Sequence, residues 1–396
     1  MKILVLGSGR MGYGAAYDLL HNSPDVERVT VADFDLKKAA EAAEKLGTSR
    51  IEARHADASN YADMTALMAG HDSVISCVNY WYNESLSRAA IETRANFCDL
   101  GGNNYVVDAQ LALDAEARAG GISIIPDCGL APGMVSVLAM HGAARFDRLD
   151  ELHIRVGGLP QDPQPPLDYQ LVFSVEGLIN EYIEAARVIR DGKITEVRSM
   201  TELESLEFAG FPPLEAFQTS GGTSTLPDSF LGKIKELDYK TIRYAGHCDK
   251  FKTMIDLGLC SSDEITADYV KVKPRKVFGE LLQQHLPADG PDYVLVRLEF
   301  VGTKKAETRP VGGVSANTDG ISRLRYDVVD KQDEHTGLSA MMRTTAFPAS
   351  IIAQMMARGD VLMRGATPQE KAIDPDRFIE ELSRRSIRID QQIPGS

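Results

Sequence analysis

Residues 2–20 read KILVLGSGRMGYGAAYDLL. The apolar run Ile3–Leu6 is short and ends at glycine, which predicts a buried strand rather than a helix. Three glycines follow, Gly7, Gly9 and Gly12, and then a helical pattern with Met11, Ala15, Ala16, Leu19 and Leu20 as its apolar positions. The spacing GxGxxG between strand and helix has a physical basis. Gly7 permits a tight turn, Gly9 lets backbone approach a pyrophosphate, and Gly12 lets the helix pack closely on the strand. The turn and first helical residues, Ser8, Arg10 and Met11 among them, then offer free N–H groups and the positive end of the helix dipole to phosphate. The fold predicted from this stretch is α/β, a Rossmann doubly wound parallel sheet.

An acid downstream strengthens the reading. Asp33 ends the second strand-like run, RVTVADFD (28–35), 21 residues beyond Gly12. A carboxylate there accepts hydrogen bonds from ribose hydroxyls and repels a 2′-phosphate. Asp35 adds to the repulsion, while Lys37 and Lys38 soften it. NAD is therefore expected over NADP. Otherwise Asp33 serves only to cap the next helix.

The alternation continues. IEARHAD (51–57) reads as strand, YADMTALMAG (61–70) as helix, DSVISCV (72–78) as strand and ESLSRAAIETR (84–94) as helix. NFCDLG (96–101), a helix VVDAQLALDAEARAG (106–120) and a strand ISIIPDCG (122–129) complete the series. Such alternation implies parallel pairing with right-handed crossovers. Ligands in these sheets lie at the strands' carboxyl ends. That places Asp57, Ala58, Val78 and Asn79 along the cofactor, and Gly101, Gly102 and Asn103 near its nicotinamide end. Each could equally be an ordinary turn residue.

Composition bounds the rest. A chain of 396 residues is too long for one ordinary core. The formal charge of −14 argues against nucleic acid or an anionic membrane as a partner. No apolar run is long enough for a membrane span, and the start reaches glycine too soon for a signal-peptide core. Five cysteines without CxxC spacing fit reduced thiols and a cytoplasmic location. The eight histidines form no HxxxH pattern, so no metal site is expected.

After residue 130 the pattern changes. LHIRVGG (152–158), YQLVFS (169–174) and YVLVRLEFVG (293–302) alternate like strands of a mixed or antiparallel sheet. Helices are expected at VEGLINEYIEAARVIR (175–190) and CDKFKTMIDLGL (248–259). An α+β substrate domain over 131–338 follows, after a dinucleotide-binding domain over 1–130. Between two strand-like runs lies VGGLPQDPQPPLDYQ (156–170), with two glycines and four prolines. It predicts a rigid loop forming a substrate wall, with Gly157 and Gly158 bringing backbone donors to the ligand. Replacing Gly157 by valine is then expected to raise the Michaelis constant for the substrate while leaving NAD affinity intact.

The chain resembles the saccharopine dehydrogenase-like oxidoreductases, in particular the branch that oxidises the side-chain amine of lysine. The resemblance rests on VLGSGRMGYGAAYDL, DCGLAPGMVSVLA, VGGLPQDPQPPLDYQ, EYIEAARVIRDGK and TIRYAGH, in that order, and covers nearly the whole chain. It implies NAD as cofactor, a small amino acid as substrate with L-lysine favoured, and a homo-oligomer. It also implies that helices over 339–396 return to the first domain. Residues 302–325 depart from the family's short form and read as an extended hairpin: an oligomer contact, a lid or a tolerated insertion.

Amine oxidation needs a hydride acceptor, a base and an anchor for the α-carboxylate. His247 is the first choice for base, because neutral imidazole takes a proton near working pH. Arg243 is the candidate for the carboxylate. Tyr169 and Glu181 are further candidates. Glu181 could hold the α-ammonium, but near the ε-ammonium it would hinder deprotonation. Asp127 is placed at the domain junction, or caps the next helix. Two other readings stand beside this one: a saccharopine or carboxyalkyl-diamine dehydrogenase, and a non-enzymatic NAD-binding redox sensor.

Overall fold

The computed structural model describes residues 1–172, 174–303 and 321–393. They form two compact units: 1–141 with 342–389, and 142–341 with the residues from 390 onward.

The first unit is built on a seven-stranded parallel sheet. Its order is Gly365–Ala366, Ser123–Ile125, Asn96–Asp99, Ser73–Ser76, Lys2–Leu6, Arg28–Asp33 and Ile51–His55. Ile3, Leu4 and Val5 are fully buried, as a strand covered on both faces requires. The order reverses beside Lys2–Leu6, and the loops that follow the central strands converge there. The helix read over 106–120 is two helices, Asn104–Leu111 and Asp114–Gly120, because Leu113 turns inward and begins a new one.

Residues from 342 return to this unit. The strand Gly365–Ala366 extends the parallel sheet beside Ser123–Ile125, and Arg385 is buried against Asp18 of the helix Arg10–His21. The return ends at 389. Asp390–Gln392 pairs instead with Arg325–Asp327 in the other sheet, so the final strand is not part of the first unit.

The second unit holds a nine-stranded mixed sheet. Its main order is Glu204–Leu206, Leu214–Gln218, Glu236–Tyr244, Arg148–Pro160, Asp292–Thr303, Ile321–Lys331 and Asp390–Gln392. Ala186–Arg190 joins Glu236–Tyr244 and pairs with Lys193–Val197. Only Glu236–Tyr244 and Arg148–Pro160 run parallel among these described pairings.

Three expectations change here. The helix read over 175–190 stops at Ile183, and Ala186–Arg190 turns through Asp191 and Gly192 into a hairpin whose first strand buries Ala186, Val188 and Ile189. Of YQLVFS, the described residues 169–172 and 174 are not in a strand; Leu171 donates to the Pro287 carbonyl from a buried irregular segment. Gly157 and Gly158 lie inside the central strand Arg148–Pro160, registered with Leu295 and Val294. A Cβ at Gly157 would lie 2.5 Å from the Ile242 carbonyl oxygen. Gly157 serves close strand packing, Gly158 makes room for the Met341 side chain, and only the part after Pro160 is a loop.

The hairpin expected over 302–325 falls largely outside the described residues; its flanks Asp292–Thr303 and Ile321–Lys331 are paired antiparallel. Among the described residues no helix is long and apolar enough to cross a membrane.

Candidate functional site

In the first unit the glycine turn has the geometry of an anion cradle. Gly9 precedes the helix Arg10–His21 and, as a glycine, brings no side-chain cap of its own. A Cβ at Gly9 meets nothing within 4 Å, so the space above the turn is open. A Cβ at Gly12 would lie 1.8 Å from the Gly7 carbonyl oxygen, so only glycine fits there. Asp33 Oδ2 accepts from the Ser8 amide at 2.7 Å and the Ser8 hydroxyl at 2.8 Å, and Oδ1 accepts from the Asp35 amide at 2.9 Å. Partial burial pushes this carboxyl up, but the Ser8 and Asp35 donors outweigh it and hold it below its ordinary range. The helix Leu36–Leu46 is capped by Asp35, whose side chain accepts from Lys37 and Lys38. Asp33 is not that cap.

A dinucleotide fits this arrangement. Pyrophosphate has the N-terminal end of the helix Arg10–His21 to accept from, and a ribose has the ionised Asp33. A 2′-phosphate would meet Asp33 and Asp35 together.

The other residues expected along the cofactor follow the carboxyl ends of their strands. Asp57 Oδ1 accepts from the Ser59 amide and hydroxyl, which shapes its own turn. Ala58 and Val78 are half-buried, and Asn79 is exposed just before the short turn Tyr80–Tyr82. Asn103 caps Asn104–Leu111, accepting from Tyr105 and Val106. Asp127 is buried with φ 62°, and its carboxyl occupies the space where a side chain at Gly101 would stand. Asp99, which sequence reasoning passed over, ties this corner together. It accepts from Gly101 at 2.7 Å, Gln110 at 2.7 Å and the Asp127 amide at 3.2 Å.

The second unit brings four of the expected residues into one buried group. Arg243 comes from the strand Glu236–Tyr244, His247 opens the helix His247–Asp256, Glu181 lies in the helix Val175–Ile183, and Tyr169 lies in the segment after the proline loop. Arg243 Nε donates to the Tyr182 hydroxyl at 2.8 Å, and Nη1 donates to the Ile242 carbonyl at 2.9 Å. Its guanidinium carbon lies 4.8 Å from the Tyr169 ring centre. Among the described residues the buried Tyr169 hydroxyl has no partner in hydrogen-bonding geometry, although the Val172 amide lies close enough to pull its pKa down somewhat. Burial pushes that hydroxyl up to about 12, so it stays protonated and is a donor in waiting.

Glu181 is half-buried as a residue, yet protein surrounds its carboxyl closely enough to push it up to about 7, with Arg243 pulling the other way. Among the described residues Glu181 and Arg243 feel each other's charge without forming an ion pair. The two thus interact through charge alone among the described residues, with the Tyr169 ring against the guanidinium. A zwitterion matches that pattern: a carboxylate for Arg243 and Tyr169, an ammonium for Glu181.

His247 does not have the geometry of a free base. Its Nδ1 lies 2.9 Å from the Leu167 carbonyl and must donate to it, and its Nε2 lies 3.1 Å from the Tyr182 hydroxyl. Burial, then the Arg243 charge, pushes the imidazole down to about 3. It is neutral and both nitrogens are engaged. Gly157 and Gly158 are strand residues in register with Leu295 and Val294, not part of the loop wall expected of them. Tyr182 was missed because a tyrosine on an apolar helix face looks like core. Glu215 was missed too: its carboxylate caps His247–Asp256 by accepting from Gly246 at 2.8 Å and Cys248 at 2.6 Å. Among the described residues no cluster of metal ligands occurs.

A parallel sheet with a glycine cradle at the start of its first helix and an acid at the end of its second strand defines the class of nucleotide-dependent α/β oxidoreductases. Residues 3–125 match the saccharopine dehydrogenase NADP binding domain, and residues 129–387 match the saccharopine dehydrogenase C-terminal domain. The chain belongs to the saccharopine dehydrogenase family. It is 27% identical to saccharopine dehydrogenase [NADP(+), L-glutamate-forming] of Saccharomyces cerevisiae, over 72% of this chain and 64% of that protein. It is 25% identical to carboxynorspermidine synthase of Vibrio cholerae, over 96% of this chain and 94% of that protein. The chain covers less than two thirds of the yeast relative and 45% of the mitochondrial alpha-aminoadipic semialdehyde synthase of Bos taurus. Among solved structures, the apo yeast saccharopine dehydrogenase matches with a TM-score of 0.79 at 20% identity, covering 99% of both chains. Homospermidine synthase from Legionella pneumophila, in complex with NAD, matches with a TM-score of 0.66 at 12% identity, covering 100% of this chain and 92% of that one.

Proposed function

We propose that this protein is an NAD-dependent L-lysine 6-dehydrogenase. It oxidises the ε-amine of L-lysine to 2-aminoadipate 6-semialdehyde, which cyclises to Δ1-piperideine-6-carboxylate, and it releases ammonia. The observation that carries the reading is that Arg243 and Glu181 feel each other's charge without an ion pair among the described residues, beside a Tyr169 hydroxyl that has no partner among them. In this reading Arg243 and Tyr169 hold the substrate's α-carboxylate, and Glu181 holds its α-ammonium. Fixing the amino-acid head leaves the side-chain amine free to extend to the reaction centre. Bound NAD supplies the hydride acceptor. The choice of NAD over NADP is supported by Asp33 and Asp35, whose carboxylates would repel a 2′-phosphate, with Lys37 and Lys38 beside them softening that repulsion.

Lysine's ε-ammonium has an ordinary pKa of about 10.4 and cannot lose a hydride while charged. Turnover must therefore rise with pH as the neutral amine becomes available. The resulting imine is hydrolysed by water to the aldehyde and ammonia.

A second reading is favoured by the relatives' names. Saccharopine and carboxyalkyl diamines also carry an amino-acid head or carboxylate that the same residues would hold, with a secondary amine as the reacting group. NADH formation by purified protein, with L-lysine or saccharopine and either cofactor across about pH 7 to 10, separates the two. The expected result is a lysine- and NAD-dependent rate that climbs with pH. Turnover of saccharopine alone replaces the substrate, and activity with NADP alone replaces the cofactor. Tight NAD binding with no turnover of either substrate favours a sensor.

A further inference from the structure

We infer that Tyr182 and His247 form a positioning relay that orients Arg243 for the substrate carboxylate, and that His247 is not the general base. The inference rests on the reading of Arg243 as the carboxylate anchor. Each link in the chain has one permitted direction. The Leu167 carbonyl can only accept, so His247 carries its proton on Nδ1, 2.9 Å away. The neutral ring then has a lone pair on Nε2, 3.1 Å from the Tyr182 oxygen, and Tyr182 donates to it. That commits the Tyr182 proton and turns an oxygen lone pair toward Arg243 Nε, which donates at 2.8 Å. A guanidinium with Nε held by Tyr182 and Nη1 by Ile242 has its plane fixed, and among the described residues no hydrogen bond engages its Nη2 edge, which is available to a ligand.

Packing locks the relay. The Tyr182, His247 and Arg243 residues are at most 3% exposed. The imidazole stacks near Phe217 and Phe251, with ring centres 6.4 Å and 5.9 Å away, and Tyr169 meets its edge at 5.5 Å. The charged groups acting on it are Arg243 and, on its own helix, Lys250. Neither favours an imidazolium. A base in this position would have to break its bond to Tyr182 before accepting a proton, and would gain a second buried cation next to Arg243.

The test combines kinetics with nitrogen NMR of the imidazoles, using full-length protein. Tyr182→Phe keeps the ring and removes the relay's central oxygen. It is expected to raise the Michaelis constant for the amino acid about 10-fold or more, with kcat within about twofold of wild type. His247→Gln is expected to raise the same constant while the limbs of the kcat–pH profile stay in place. A fall in kcat of about 100-fold, or loss of the profile's acidic limb in His247→Gln, overturns the relay and restores His247 as base.

The NMR readout does not depend on turnover. The resonances absent from His247→Gln identify the ring, which is expected to remain neutral with Nδ1 protonated from about pH 6 to 9. Its Nε2 resonance should move in Tyr182→Phe. A ring that titrates in that range, or an Nε2 resonance unmoved by Tyr182→Phe, sinks the inference. Circular dichroism and NAD binding establish that each variant is folded, and the wild-type and His247→Gln spectra decide the tautomer if Tyr182→Phe does not fold. If wild-type protein turns over neither lysine nor saccharopine, the proposed function fails while the spectra still decide the relay.

Discussion

Glu181 shows how far one residue's role depends on surroundings that sequence does not display. Its carboxyl is pushed up to about 7 by burial, against the pull of Arg243. A raised acid pKa means that the folded chain holds the proton more tightly than the unfolded chain. The stabilising effect of that proton is complete below the ordinary value near 4.5 and is lost as pH rises through about 7. Glu181→Gln is therefore expected to melt higher than wild type at about pH 8, by the equivalent of about 1–3 kcal/mol, and to show almost no difference near pH 4.5. Thermal melts of both proteins at the two pH values check this. An advantage of equal size at both would mean that Gln stabilises by packing and that Glu181 ionises normally.

At the scale of elements, two strand-to-neighbour contacts redefine what the glycine- and proline-rich stretch does. Gly157 faces the Ile242 carbonyl across the sheet, and backbone cannot move aside as a side chain can. Gly157→Ala is expected to cost about 1–3 kcal/mol in chemical denaturation. An unchanged midpoint with a raised Michaelis constant for the amino acid would return Gly157 to a substrate wall. Local spacing made Gly157 and Gly158 visible, but in a sequence a glycine beside prolines is indistinguishable from the last glycine of a central strand. Its pairing with Leu295, far along the chain, is what separates the two. The helix read through residue 190 failed for a similar reason. Ala186–Arg190 is apolar enough for either state, and its hairpin partner Lys193–Val197 settles it as strand.

At the scale of the whole molecule, the late residues are part of the first unit's core. Arg385 Nε donates to Asp18 Oδ1 at 2.6 Å, with both side chains at most 1% exposed, and Ser350 donates to the other Asp18 oxygen at 2.6 Å. Arg385 also pairs with Glu381 at 2.6 Å. Removing one partner from a buried pair leaves an uncompensated charge, which costs about 3–5 kcal/mol. Arg385→Ala is thus expected to lower thermal stability sharply, with little sensitivity to added salt because the pair is shielded from ions. Loss of less than about 1 kcal/mol would mean that water reaches Asp18 and that the C-terminal return contributes little there.

The nucleotide half of the protein was legible from residue order, since its signals are local: strand, glycine turn, helix and Asp33 follow one another within one βαβ unit. Even there, assigning the cap to Asp35 rather than Asp33 required the hydrogen bonds themselves. Arg243 and His247 were also visible, standing four apart on a strand and the start of a helix. Their roles were not, because Tyr182 lies 61 and 65 residues from them and joins them only when helix and sheet pack. A residue's type and its near neighbours limit which protons it can give or take. Burial and long-range partners select among those options, and these arise only when the chain folds on itself.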